Sequence, residues 1–521
     1  MAAIAETTAV KATRREWIGL AVLALPCMLY SMDLTVLNLA VPHLTVDLKP
    51  TSTQLLWIVD IYGFMIAGSL ITMGTLGDRI GRRRLLVIGA AAFGIASVLA
   101  AFSTSAEMLI ATRALLGVAG ATLAPSTLSL IRNMFLDPAQ RTLAIGVWIT
   151  SYSVGGAIGP LLGGVMLEYF WWGSVFLIGV PVMVVLLVLG PMLLPEFRDP
   201  NAGRLDLLSA ALSLLAVLAA IYGLKQIAEH SVGWVAVLSV LLGIVLGVVF
   251  IRRQRTLADP LIDLRLFRAP AFSASLATYM IATFVVFGAF LFIGQYLQLV
   301  LQLSPLQAGV WTAPSMLSFI VGSLLMPVFV RHVRPAFVMA AGLALAAVGF
   351  AMLTQVDPAS GIAILVIATV VYSLGLAAVF TLATDLIVGT APPEHAGSAS
   401  AISETSSELG GALGIAILGS IGAALYRSQV MSSIPVGIPP DVAATARDTL
   451  GGAVDAAARL PEQLGAALLD VSREAFTHGL QCVAFIAALG MVGTAVLAVV
   501  MLGHVRGGSG PEGRATPERA L

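Results

Sequence analysis

Long apolar stretches, separated by short polar segments rich in glycine, proline or arginine, follow one another along the whole chain. A helix rises 1.5 Å per residue, so about 20 apolar residues are needed to cross a bilayer core. Runs of that length fall at 18–40, 55–76, 85–102, 107–129, 142–165, 173–194, 206–225, 232–251, 272–297, 307–329, 336–354, 362–385, 398–422 and 478–502. The pattern predicts an all-α polytopic membrane protein with 14 transmembrane helices.

Composition sharpens this picture. Of 521 residues, 58% are hydrophobic and 11% charged, with a mean hydropathy of +0.97. Soluble domains carry about 25% charged residues, so the lipid bilayer must act as solvent. The 28 basic and 28 acidic residues balance, which gives no footprint for a nucleic-acid partner. Cys27 and Cys482 lie in apolar runs, and the six histidines have no metal spacing, so neither a disulfide framework nor a metal centre is expected. The first fifteen residues are polar and lack the apolar core and cleavage site of a signal peptide, so the first run is expected to be retained. No stretch between runs is long enough for a catalytic domain, and no phosphate-binding glycine loop ends in Lys-Ser/Thr. An enzyme or ATP-driven pump is therefore not expected.

Basic residues orient the spans. With the N-terminus in the cytoplasm, 21 of the 28 fall on cytoplasmic segments, six fall outside (Lys49, Lys225, Arg427, Arg447, Arg459 and Arg473) and Arg113 lies within a run. Four of the six outside share one loop, 427–475, for which a short helical hairpin or a polar loop are both open. In that loop Pro461 can open a helix. Both termini are then cytoplasmic and the chain belongs in the cell inner membrane. The loop between runs two and three, Asp78-Arg79-Ile80-Gly81-Arg82-Arg83, has a degraded basic counterpart eight runs later, Arg331-His332-Val333-Arg334-Pro335. This fits a cytoplasmic N-terminus at 1–17 and a six-helix half at 18–194. A linker with two extra helices at 195–271 follows, then a second six-helix half at 272–502 containing the outside loop, and a cytoplasmic tail at 503–521. Repeated halves with a site between them are typical of secondary transporters.

Several segments carry a family resemblance. Gly74-Thr75-Leu76-Gly77-Asp78-Arg79-Ile80-Gly81-Arg82-Arg83-Arg84 resembles the signature loop of the major facilitator superfamily. Gly81 permits a tight turn, and Asp78 can pair with an arginine or sit at a helix N-terminus. The resemblance implies a gating latch on the cytoplasmic side, formed by Gly74, Asp78, Arg79, Gly81 and Arg82. Gly155-Gly156-Ala157-Ile158-Gly159-Pro160-Leu161-Leu162-Gly163-Gly164 resembles the antiporter motif of drug-exporting members. Its glycines allow close helix approach and Pro160 removes a backbone hydrogen bond. The stretch Leu109 to Gly120 resembles a third motif, in which Arg113 would face the cavity and help couple proton movement. Met32 to Pro42 and Gln54 to Tyr62 resemble the first two helices of fourteen-helix drug:proton antiporters, so the likeness runs over most of the chain.

Ionisable residues inside spans are candidate functional groups. Asp33 and Asp60 fall at similar depth on neighbouring helices, about 6 and 8 Å outward of centre. Such a pair suits a proton and a cation competing for one place, because burial disfavours a lone charged carboxylate and a cation favours it. Glu404 and Glu408, spaced i, i+4, share one face of the thirteenth span and match acidic residues of quaternary-ammonium exporters. Trp57, Trp148, Tyr152 and Trp311 are candidate cavity aromatics, since ring faces attract cations. Asp385, Glu168 and Glu229 read as interfacial charges outside the mechanism. In the tenth span, Ala313 to Ile320 lacks the additional acid of members with a broad divalent-cation range, which implies monovalent guests.

The expected function is proton-coupled antiport of lipophilic, mainly cationic drugs, driven by the proton gradient, with no cofactor and with the protein working as a monomer. A specific exporter of an endogenous compound, and a non-transporting receptor on the same fold, are the other readings.

Overall fold

Helices account for nearly the whole length of the computed structural model, which describes residues 11–198, 205–230, 233–257, 260–357, 362–435 and 437–503. The expected cytoplasmic tail at 503–521, apart from Gly503, and most of the expected cytoplasmic N-terminus at 1–17 lie outside these residues. In chain order the helices are α1 (Arg14–Leu48), α2 (Ser52–Ile80), α3 (Arg82–Ala101), α4 (Ala106–Gly120), α5 (Leu123–Met134) and α6 (Pro138–Tyr169). Then come α7 (Ser174–Leu177), α8 (Gly179–Leu193), α9 (Leu207–His230), α10 (Trp234–Gln254), α11 (Pro270–Gln295) and α12 (Pro305–Val330). The series ends with α13 (Pro335–Leu353), α14 (Ile362–Thr390), α15 (Ala396–Ser433), α16 (Pro440–Asp448), α17 (Leu450–Ala457) and α18 (Glu462–Leu502). Among the described residues 14 helical spans are long and apolar enough to cross a membrane.

Local chemistry sets the boundaries. A reciprocal capping box of Thr51 and Gln54 starts α2, and Ser304 with Gln307 starts α12 in the same way. Asp137 caps α6 ahead of Pro138, whose missing N–H costs nothing at a first helical position. Two spans are interrupted, and both breaks have one cause. The fourth divides into α4 and α5 just before Pro125, and the sixth into α7 and α8 just before Pro181. Proline cannot donate to the carbonyl one turn back and crowds it, so the helix restarts a few residues ahead of it. The loop 427–475 is mostly helical: α15 and α18 run on past their apolar stretches, and α16 and α17 pack between them. Pro461 stands at the N-cap of α18.

The same packing pattern occurs twice. In the first six spans α1 lies on α6, α2 on α4, and α3 on both α4 and α8. In the last six α11 lies on α15, α12 on α14, and α13 on both α14 and α18. Each set encloses its own apolar core. Between the sets the pairing is reciprocal: α2 meets α15 and α6 meets α12, the second and fifth spans of one set facing the fifth and second of the other. The pair α9 and α10 stands apart. α10 exposes most of its apolar side chains, as a helix facing lipid would, and packs on α9. α9 in turn touches both α2 and α15.

Candidate functional site

The interface between the two sets carries polar groups at two levels, one at the end bearing the loop 78–84, called the basic end here, and one midway along the spans.

At the basic end, Gly81 makes the turn between α2 and α3 with φ +112°, a conformation that disfavours any side chain. Glu196 fills the space beside it and accepts hydrogen bonds from the amides of Arg83 and Arg84, capping the start of α3. Asp78 is thereby left for the other half. It pairs with Arg82, and its Oδ2 accepts a 3.1 Å hydrogen bond from the amide of Ser398, in the first turn of α15. A carboxylate there satisfies an orphan donor and meets the positive end of the helix dipole. Arg82, only 1% exposed, also donates to the carbonyl of Gly74 at 2.8 Å. The helices touch at backbone level: a Cβ on Gly74 would lie 2.6 Å from the Gly397 carbonyl, and one on Gly397 would strike the Arg82 guanidinium. Arg79 closes the last turn of α2. Thr75 and Ser398 both donate to the carbonyl of Leu261 in the segment joining the halves, at 2.9 and 3.2 Å. A second clasp joins Arg141 and Thr142 of α6 to the two oxygens of Asp385 on α14, each at 2.7 Å. Asp385, expected to be a surface charge, thus ties one half to the other. The reason is tertiary: its partner lies 244 residues away.

Midway along the spans, Asp33 accepts from Arg113 at 3.4 Å. The guanidinium is 1% exposed and lies 5.1 Å from the Tyr62 ring centroid and 5.8 Å from that of Phe176. Tyr30, one turn before Asp33, donates its hydroxyl to Glu408 at 3.0 Å and so links α1 to α15 across the interface. The Tyr30 ring stands 6.3 Å from Tyr62 and 5.6 Å from Tyr152. Glu404 lies within electrostatic range of Tyr30, Tyr152 and Tyr279. One of its oxygens is buried without a hydrogen-bond partner among the described residues. Both glutamates are nevertheless half-buried rather than sealed.

The two aspartates do not share a place as their depth implied. Asp33 is held by Arg113, whereas Asp60 pairs with Lys225 of α9. Depth along a helix fixes height, not azimuth, and Asp60 faces the extra pair. Trp57 goes the same way, stacked on Tyr222 with ring centroids 6.2 Å apart. Trp148, expected to line the space, is buried inside the first set, where its indole donates to Thr127 at 2.9 Å and its ring meets Tyr152 edge-on. Tyr152 remains at the polar level, and Trp311 is exposed on α12. In the antiporter motif a Cβ on Gly155 would strike the Met28 carbonyl of α1, Gly159 is buried, and a Cβ on Gly163 would lie 2.8 Å from Val36. Gly164 faces open space, and the side chain of Pro160 lies outside the described residues.

Lys225, Tyr30 and Tyr62 were not singled out by sequence. Charge counting placed Lys225 in an outside loop because its apolar run ends there, although the helix continues to His230. The lysine itself was the available sign, a basic residue at the margin of a strongly apolar run.

Two repeated sets of helices meeting across a polar level define a secondary transporter. The chain belongs to the Major Facilitator Superfamily, whose family model matches residues 23–415. It is 44% identical over 475 residues to the multidrug efflux pump LfrA of Mycolicibacterium smegmatis, covering 91% of this chain and 94% of that one. It is 37% identical over 471 residues to the methyl viologen resistance protein SmvA of Salmonella typhimurium, covering 89% and 93%. The human organic anion transporter MFSD10 shares the fold, with a TM-score of 0.60 at 14% identity, covering 93% of this chain and all of that one. The chain is thus a polytopic membrane transporter by family and fold.

Proposed function

We propose that the protein exports lipophilic cationic drugs across the plasma membrane in exchange for protons. The observation that carries this reading is the pair Glu404 and Glu408 on α15, Glu408 tied to α1 through Tyr30 one turn from Asp33, and Glu404 with an oxygen unpartnered among the described residues. In a space shielded from water a carboxylate holds its charge beside a cation and otherwise takes a proton. Guest and proton therefore exclude one another, and the gradient of one can drive the other. The names of the relatives, a multidrug efflux pump and a methyl viologen resistance protein, agree with drug export. Arg113 holds Asp33 in place, and the neighbouring tyrosines offer ring faces to a guest.

In this scheme the basic end faces the cytoplasm and both termini lie there, following the distribution of arginines. The clasps Asp78–Ser398 and Arg141–Asp385 close that end, and they must part for a drug to enter from the cytoplasm. The tight contact of Gly155 with α1 lets the antiporter-motif helix shift as a unit with it.

The test is uptake of ethidium into inverted vesicles carrying the protein under an imposed pH gradient. Wild-type vesicles should accumulate the dye, and Asp33→Asn should lower the initial rate at least ~100-fold. That change leaves the Arg113 charge buried without its partner, at a cost of about 3–5 kcal/mol. Undiminished uptake by Asp33→Asn would remove the exchange scheme. A cation panel spanning one and two charges would separate a broad exporter from one tuned to a single compound.

A further inference from the structure

The Lys225 ammonium sits where a cationic guest would be expected to sit. It pairs with Asp60 and lies 5.2 Å from the Phe64 ring centroid. Trp57, stacked on Tyr222 and edge-on to Phe64 at 6.1 Å, walls the same spot. A carboxylate flanked by aromatic rings is the chemistry that recognises organic cations. The side chain comes from α9, which belongs to neither six-span set but touches one helix of each.

We propose that Lys225 is a built-in counter-cation, which occupies Asp60 while the site is empty and yields it when a cationic guest enters. This rests on the reading of the protein as a cation exporter and adds a residue that sets which charges it accepts. The contrast with Arg113 supports it. Arg113 is 1% exposed, packed between Tyr62 and Phe176, and cannot leave Asp33 without rearranging both. The Lys225 side chain is 36% exposed, and a lysine is a compact charge on a flexible four-carbon stem, able to swing aside. Its charge also reaches Glu408, the residue that Tyr30 bridges to α1, so its departure is felt at the interface between the halves.

Charge balance states the consequence. In the empty site Arg113 offsets Asp33 and Lys225 offsets Asp60, which leaves the two glutamates; when a guest takes Asp60, the displaced lysine charge turns toward Glu408. One positive charge on the guest fits this arrangement, and a second meets Lys225. Neutralising Lys225 frees a third carboxylate and opens the site to dications.

The experiment measures equilibrium binding of tetraphenylphosphonium, a monocation, and methyl viologen, a dication, to the purified full-length protein in lipid nanodiscs. Lys225→Met should tighten tetraphenylphosphonium binding ~10-fold and methyl viologen binding by more, because a like charge has been removed. Lys225→Arg, which keeps the charge, should show no tightening, and adding Asp60→Asn to Lys225→Met should cancel the gain. Unchanged or weaker cation binding by folded Lys225→Met, or a gain that survives Asp60→Asn, overturns the proposal. Lys225→Gln serves as the second neutral variant. If both neutral variants fail to fold while Lys225→Arg folds, the residue is an anchor for α9 and the proposal is wrong. Wild-type protein that binds neither cation would instead sink the export reading, and the counter-cation with it.

Discussion

The two polar levels between the halves use the same kinds of residue to opposite ends. At the basic end every named carboxylate is satisfied: Asp78 by Arg82 and the Ser398 amide, Asp385 by Arg141 and Thr142. Midway along the spans, Asp33 has one 3.4 Å contact with its arginine, and Glu404 has an oxygen with no partner among the described residues. The first level is built to be shut. The second is built to be completed by something that arrives, a proton or a cation. Buried polar networks are stable when fully paired and costly when not, so the difference marks which level holds the conformation and which does the exchanging.

The most damaging test of the contrast is Gly397→Leu. A side chain there would occupy the place of the Arg82 guanidinium, and overpacking of this kind costs about 1–3 kcal/mol or more. Because the cost falls only on the state closed at the basic end, export should drop ~100-fold while expression and helix content stay normal. Normal export by Gly397→Leu would show that this contact is not part of the cycle.

Glu404→Gln should act at the other level with a somewhat smaller effect. It removes a group whose unpartnered oxygen contributes nothing to the fold, so the melting temperature should move by no more than about 2 °C. Gradient-driven uptake should fall ~10-fold or more, and the response of cation binding to pH should flatten. A steep loss of stability with coupling intact would reverse the assignment.

Asp385→Asn sharpens the comparison within the basic end. The pair with Arg141 is about one-seventh exposed on each side, so its loss should weaken closure by about 1–2 kcal/mol, a ~5–30-fold shift between states. Distances between spin labels placed on α6 and α14 at that end should lengthen on average, with transport reduced only a few-fold. Smallest of all, Trp311→Ala should change ethidium export less than ~2-fold, since its ring is exposed on α12 rather than packed into the tyrosine group. A large loss would move the guest's contact surface onto α12.

Much of this was legible in the chain. Fourteen apolar runs gave fourteen spans, because a bilayer imposes one length on every crossing helix. The acids and Arg113 could be picked out because charge within such a run is rare and demands a reason. What failed was pairing. Asp33 and Asp60 looked like neighbours from their depth, yet they turn toward different helices. Trp148 looked like a cavity ring and is packed inside its own bundle. Asp385 looked peripheral and proves to be a clasp.

The amino-acid order alone therefore determined the number of spans, their approximate limits, the family motifs and the short roster of charges the membrane must tolerate. Only the tertiary structure decided which base faces which acid, that α9 inserts Lys225 beside Asp60, and that Asp78 and Asp385 are held across one end of the interface while Glu404 in the middle keeps an oxygen without a partner among the described residues. The reason is geometric. Periodicity and length are properties of a single helix, whereas the direction a side chain faces acquires meaning only once its neighbours, hundreds of residues distant, have packed against it.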